Sequence, residues 1–84
     1  MNPDPQSPRK RPPMLLSMVS NGEKVTLIAI QAGRGLVQRL ADMGFVPSVE
    51  IVVVNNGAPG PIVVTLRGSR LVLGRGMAHK IIVQ

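Results

Sequence analysis

The 84-residue chain has no cysteine, tryptophan or tyrosine, one phenylalanine, and a formal charge of +6. That length allows one domain at most. A core of this size supplies only about 3–5 kcal/mol net, which suits a rigid binding surface better than a deep catalytic cleft. The missing cysteines exclude a disulfide staple, a thiolate metal site and a thiol nucleophile.

Residues 1–13 hold five of the eight prolines and the run Arg9-Lys10-Arg11, with no aliphatic residue beyond Met1. They are expected to form a disordered basic tail, because such a segment buries too little surface to offset its ordering entropy. The domain is then expected over 14–84. Met14-Leu15-Leu16-Ser17-Met18-Val19 is too short, and too broken by Ser17, for a secretory signal. No run approaches the roughly 20 apolar residues of a membrane span, so a soluble cytoplasmic protein is expected. The positive charge is spread along the chain, three cations against Asp4 in the tail and seven against three acids over 14–84.

Asn21-Gly22 is a turn signal, and Glu23 to Ile30 alternates as a strand with Val25, Leu27 and Ala29 inward. Leu36, Val37, Leu40 and Ala41 recur at helical spacing, with Arg34, Gln38, Arg39 and Asp42 on the opposite face. No strong N-cap precedes this helix. Gly44 takes the left-handed C′ position and Pro47 the following turn, so the helix is predicted to end near Met43. Val49 to Val54 is a β-branched strand apolar on both faces, implying a central position or burial on both sides. Asn55 to Pro61 is dense in turn formers and is predicted to be a loop. Ile62, Val64 and Leu66 alternate, and Arg67-Gly68-Ser69-Arg70 turns into Leu71-Val72-Leu73, which makes a hairpin. One helical turn fits Gly74 to His79 before a last strand at Ile81-Ile82-Val83. The predicted class is mainly β: about five short strands in a small closed or nearly closed barrel, with one inserted α-helix and a helical turn near the C-terminus.

Catalytic groups are sparse. Four serines follow the tail, but the only histidine is His79, and no pattern gathers a serine, a base and an orienting acid. Asp42 and Glu50 read as a solvated helix residue and a strand-start charge. Gly33-Arg34-Gly35 and Gly74-Arg75-Gly76 lack the Lys-Ser/Thr ending of a phosphate loop and read as turns carrying a basic side chain. His79 is the one candidate metal ligand of note. The scattered acids give it no partner at ligand spacing, so neither a specific metal site nor any cofactor is expected.

The order and spacing of these parts resemble the FeoA family of bacterial ferrous iron uptake. The resemblance rests on Leu27-Ile28-Ala29-Ile30, Arg39-Leu40-Ala41-Asp42-Met43-Gly44 with Pro47, Ile51 to Val54, Gly60-Pro61-Ile62, Gly68, and Leu71-Val72-Leu73 through Val83. Three departures stand out. Ser48 replaces a glycine after the proline, Gly60-Pro61 lacks an intervening aspartate, and Gly74-Arg75-Gly76 replaces a more charged turn, which is expected to loosen the approach to the last strand.

The resemblance implies an SH3-like β-barrel that acts, without catalysis, as an accessory of the membrane ferrous iron transporter carrying a GTP-binding domain. It also implies a likeness to the C-terminal domain of iron-responsive repressors. Contact with the membrane would then be indirect, through the transporter, and a homo-oligomer stays open. The candidate interaction residues are Arg39, Leu40, Met43, Gly44, Phe45, Val46 and Pro47, with Leu40 also a core candidate and Met43 balanced between core and surface. The alternative is a small basic barrel binding RNA or DNA through Arg9-Lys10-Arg11 and Arg67-Gly68-Ser69-Arg70. Single-strand recognition needs stacking platforms, and Phe45 alone could offer one, so no nucleic-acid partner is expected.

Overall fold

A computed structural model of the chain describes residues 12–84. The tail expected over 1–13 therefore falls almost wholly outside the described residues. The elements run β1 (Met14–Leu15), a 3-10 turn (Leu16–Met18), β2 (Lys24–Ile30), α1 (Arg34–Asp42), β3 (Glu50–Asn56), β4 (Ile62–Leu66), β5 (Ser69–Leu73), α2 (Arg75–Ala78) and β6 (Ile81–Val83). The class is mainly β, as the alternating apolar runs require.

All strand pairs are antiparallel, in the order β1-β6-β2-β3-β4-β5. The sheet has six strands rather than about five. The extra one, β1, is only two residues long, too short to leave an alternation pattern in the sequence. Nor does the sheet close by hydrogen bonding, since β1 and β5 remain at its two edges. Curvature comes from β2, which pairs with β3 through Lys24 to Thr26 and with β6 through Leu27 to Ile30. The apolar faces of Val25, Leu27, Ile51, Val53, Ile62, Val64, Leu66, Ile81 and Val83 line the fold, and Leu16, Leu40 and Phe45 fill it.

Two bulges correct the predicted strand faces. In β2 the register with β6 shifts between Leu27 and Ala29, leaving Ile28 unmatched. An extra residue reverses which side chains face inward. Ile30 therefore packs on the core, whereas Ala29, predicted to point inward, is exposed. In β3 the same shift falls between Val53 and Asn55. The strand runs on through Asn55 and Asn56, two residues into the predicted loop. It is central, as predicted, but buried on one face only, because Val54 is exposed.

The hairpin between β4 and β5 closes at Leu66 opposite Ser69 through a two-residue loop, Arg67-Gly68, with φ of 52° and 81°. Positive φ at both central residues defines a type I′ turn, whose twist matches that of the flanking strands. Both Gly-Arg-Gly segments open helices, the second being the helical turn expected over Gly74 to His79. Gly33 and Gly74 are N-caps with extended backbone and no capping side chain.

Candidate interaction surface

Helix α1 ends in a complete Schellman motif. The Gly44 N–H donates to the Ala41 carbonyl at 2.9 Å, and the Phe45 N–H reaches back to the Leu40 carbonyl at 2.9 Å. This satisfies two carbonyls that a helix end would otherwise leave unpaired. Leu40 and Phe45, 0% and 1% exposed, form the accompanying apolar contact inside the core. Gly44 has φ +107°, and a Cβ built there would lie 2.8 Å from Leu66 Cδ2. The glycine is thus favoured twice over, by its backbone conformation and by the packed side chain of Leu66.

The seven residues singled out in the sequence divide accordingly. Leu40 and Phe45 are buried and cannot meet a partner directly; they hold the others in place. Val46 is half-buried against the core. Arg39, Met43 and Pro47 are exposed, Met43 at 42%. Arg39 also lies in the last turn of α1, where a cation complements the helix dipole. Asp42 accepts from Gln38 Nε2 at 2.8 Å on the exposed face, one helical turn away.

Pro47 and Ser48 form the next turn, closed by the Val49 N–H on the Val46 carbonyl at 3.1 Å. Ser48 has φ 76°. Proline followed by a residue of positive φ is the type II pattern, which favours glycine at the second position. A side chain in the left-handed region costs about 1–2 kcal/mol. Ser48→Gly is therefore expected to stabilise the domain by about 0.5–1 kcal/mol, after the extra chain entropy of glycine in the unfolded state is subtracted. Urea unfolding of both proteins checks this, and an unchanged or lower midpoint would refute the assignment of strain.

At the other end of the fold lies a polar clasp that sequence reasoning missed. Asn56 Nδ2 donates to the carbonyls of Ser17 and Val19 at 3.0 and 2.8 Å, and its backbone N–H donates to Asn21 Oδ1 at 2.6 Å. Its Oδ1 accepts from Arg75 Nη2 at 2.7 Å, while Arg75 Nε donates to the Gly60 carbonyl at 2.9 Å and Nη1 to the Ser17 carbonyl at 3.4 Å. The Gly74-Arg75-Gly76 departure does not loosen the fold, because Arg75 fastens α2 to the 3-10 turn, the end of β3 and the loop before β4. The one usable signal was an arginine between two glycines.

Ser17 Oγ and His79 Nδ1 also meet, at 2.7 Å across 62 residues of sequence. This is a serine–histidine pair that no sequence spacing could announce. It lacks the other parts of a nucleophilic site: Ser17 is 7% exposed, and no carboxylate bonds the imidazole among the described residues. Asp42 and Glu50 are both exposed, on α1 and at the start of β3. Among the described residues no three His, Cys, Asp or Glu side chains gather as a metal site.

A small antiparallel sheet with one helix inserted between β2 and β3, and no assembled catalytic set among the described residues, defines an SH3-like domain. The FeoA domain model matches residues 14–84, and the chain belongs to the FeoA family. It is 38% identical over 69 residues to "Putative Fe(2+) transport protein A" of Methanocaldococcus jannaschii, covering 82% of this chain and 83% of that protein. The crystal structure of an iron uptake regulatory protein (FeoA) superposes with a TM-score of 0.81 at 30% identity, covering 86% of this chain and 96% of the other. A zinc complex of Stenotrophomonas maltophilia FeoA, described as a prokaryotic SH3 domain protein, matches with a TM-score of 0.74 at 25% identity over 84% of this chain and 89% of that one. The likeness extends to a manganese-dependent transcriptional repressor, with a TM-score of 0.78 over 93% of this chain and 44% of the repressor. At 24% identity that last match shows a shared fold alone.

Proposed function

We propose that this chain is a non-enzymatic accessory of ferrous iron uptake that works in the cytoplasm by direct contact with the membrane transporter carrying a GTP-binding domain. Family membership supports the pathway. The observation that carries the contact is the helix stop, where Arg39, Met43 and Pro47 stand exposed on a backbone locked by the Schellman motif and by buried Leu40 and Phe45. A fixed backbone reduces the ordering cost of binding, and an exposed thioether beside a guanidinium offers both adaptable apolar contact and a charge. The acting unit is the domain over 14–84, with iron as the transporter's cargo and no metal of its own. No helix of the described residues is long and apolar enough to cross a membrane, which fits a membrane role exercised through a partner.

Titration against the transporter's cytoplasmic domain tests this. Arg39→Glu and Met43→Ala are each expected to weaken binding roughly tenfold, the size of a moderate interface contact, while the fold is kept and Arg39→Glu costs no more than about 1 kcal/mol of stability through the helix dipole. Wild-type affinity in both variants would remove this surface. A steep fall in binding with salt, matched by oligonucleotide binding, would favour the nucleic-acid alternative.

A further inference from the structure

Among the described residues, strand β5 is an edge with nothing bonded to its outer side. Because the two-residue hairpin closes on Leu66 and Ser69, those residues form a hydrogen-bonded pair, as do Val64 with Leu71 and Ile62 with Leu73. Arg70 and Val72, opposite Thr65 and Val63, fall in the alternate positions, so their N–H and C=O groups point away from β4. Among the described residues no hydrogen bond reaches these outward groups. Natural edges are commonly shielded by proline, charged side chains, bulges or covering loops, and the charges at this one, Arg67 and Arg70, are both positive and so repel another basic edge but not an acidic strand. Here β5 is regular throughout its register with β4 and holds no proline, and Val72 is 63% exposed.

The outer face beside this edge is basic. Lys24, Val52, Thr65 and Arg70 lie in one row across β2 to β5, and Arg67 stands at the hairpin turn. Lys24, Arg67 and Arg70 are exposed against the single carboxylate of Glu50, and none of the three has an ion pair among the described residues. A shallow hollow of about 490 Å³ lined by Lys24, Glu50, Val52, Thr65 and Arg67 continues the same face. We propose that the β5 edge receives an extended segment of a partner protein, added as an antiparallel strand through the backbone groups of Arg70 and Val72, with acidic side chains on the outer face toward Arg70 and apolar ones on the inner face beside Leu71. Main-chain bonds give such addition its affinity, and the alternating side chains give it specificity.

Other occupants fit less well. A second copy pairing β5 to β5 would bring two sets of these cations onto one continuous face, and like charges across strands are destabilising. The chain's own N-terminal segment is basic and interrupted by prolines, which cannot donate to a ladder. This surface is distinct from the helix stop, and the proposal stands or falls without it.

The test uses the full chain and a capped octapeptide alternating glutamate with valine, together with its lysine–valine counterpart. In the free protein the Arg70 and Val72 amides should exchange rapidly while those of Leu71 and Leu73 are protected. The acidic peptide should slow exchange at Arg70 and Val72, and the lysine peptide should not. Val72→Pro removes an edge donor without touching the β4 ladder, so it should keep the unfolding midpoint and lose binding. If that variant fails to fold, Arg70→Glu serves instead and should weaken the acidic peptide about tenfold. The proposal is overturned if the acidic peptide does not bind, if both peptides bind alike, or if perturbed amides fall elsewhere. It is overturned equally by an oligonucleotide that protects the same amides when the peptide does not, or by a concentration-dependent dimer that Val72→Pro abolishes, which would give the edge to a second copy.

Discussion

Gly44→Ala is expected to remove most of the domain's stability at 25 °C. Two costs meet at this position. At φ +107° a side chain is strained by at least the 1–2 kcal/mol, roughly, of the left-handed region. Its Cβ would also lie 2.8 Å from Leu66 Cδ2, and forcing a packed core to move costs about 1–3 kcal/mol. Together they come to about 2–5 kcal/mol, comparable with the 3–5 kcal/mol or so that a core of this size supplies. Gly68→Ala is the control, since Gly68 has φ +81° but nothing within 4 Å of where an added methyl would lie, so it carries the conformational cost alone. Urea denaturation should show Gly44→Ala destabilised by about 1–3 kcal/mol more than Gly68→Ala. Equal losses in the two variants would show that Leu66 yields freely and that the close approach is not a constraint.

Asn56→Ala is expected to cost about 2–3 kcal/mol. The substitution strips hydrogen bonds from the carbonyls of Ser17 and Val19 and from Arg75 Nη2, all in a part-buried setting. An unsatisfied buried group costs about 1–3 kcal/mol, more when charged, and water can replace part of what is lost at a half-buried site. Hydrogen exchange should localise the damage. Faster exchange is expected at Val19, whose N–H bonds the Leu16 carbonyl, and at Met77 and Ala78, whose N–H groups bond the Gly74 carbonyl, before global unfolding. A loss below about 0.5 kcal/mol would mean that solvent substitutes fully for the amide and that the clasp contributes little to stability.

The sequence announced what is local. Helical spacing, the glycine stop at Gly44 and the alternation of Ile62, Val64 and Leu66 all arise from backbone periodicity within a few residues, and the structure has each of them. The bulges were invisible because each depends on the partner strand. Ile28 and Val54 are β-branched like most other residues of these two strands, and only the registers with β6 and β4 make them the unmatched residues. That single-residue slip turned Ala29 outward and aimed Asn56 inward, opposite buried Ile62. The clasp was illegible for a related reason. Asn56, Arg75 and Ser17 each look like loop or turn residues, and their chemistry appears only when segments 19 to 58 residues apart converge. For the interaction surface, spacing gave the helix end, the polar face of Arg39 and the core preference of Leu40, but not the burial of Phe45 or the exposure of Met43. Leu40 and Phe45 were drawn inward by the Schellman contact, which leaves Arg39, Met43 and Pro47 facing solvent.

The pairing of β1 with β6 sets Met14 directly across from Val83. The domain is therefore entered and left at one corner, by two strand ends a single ladder spacing apart. A unit built this way can be appended to a larger polypeptide, or spliced into one of its loops, without stretching the host chain or disturbing the guest's own core. Such portability is a property of plumbing rather than of any binding face, and it accounts physically for how one compact architecture can stand alone or occupy less than half of a repressor.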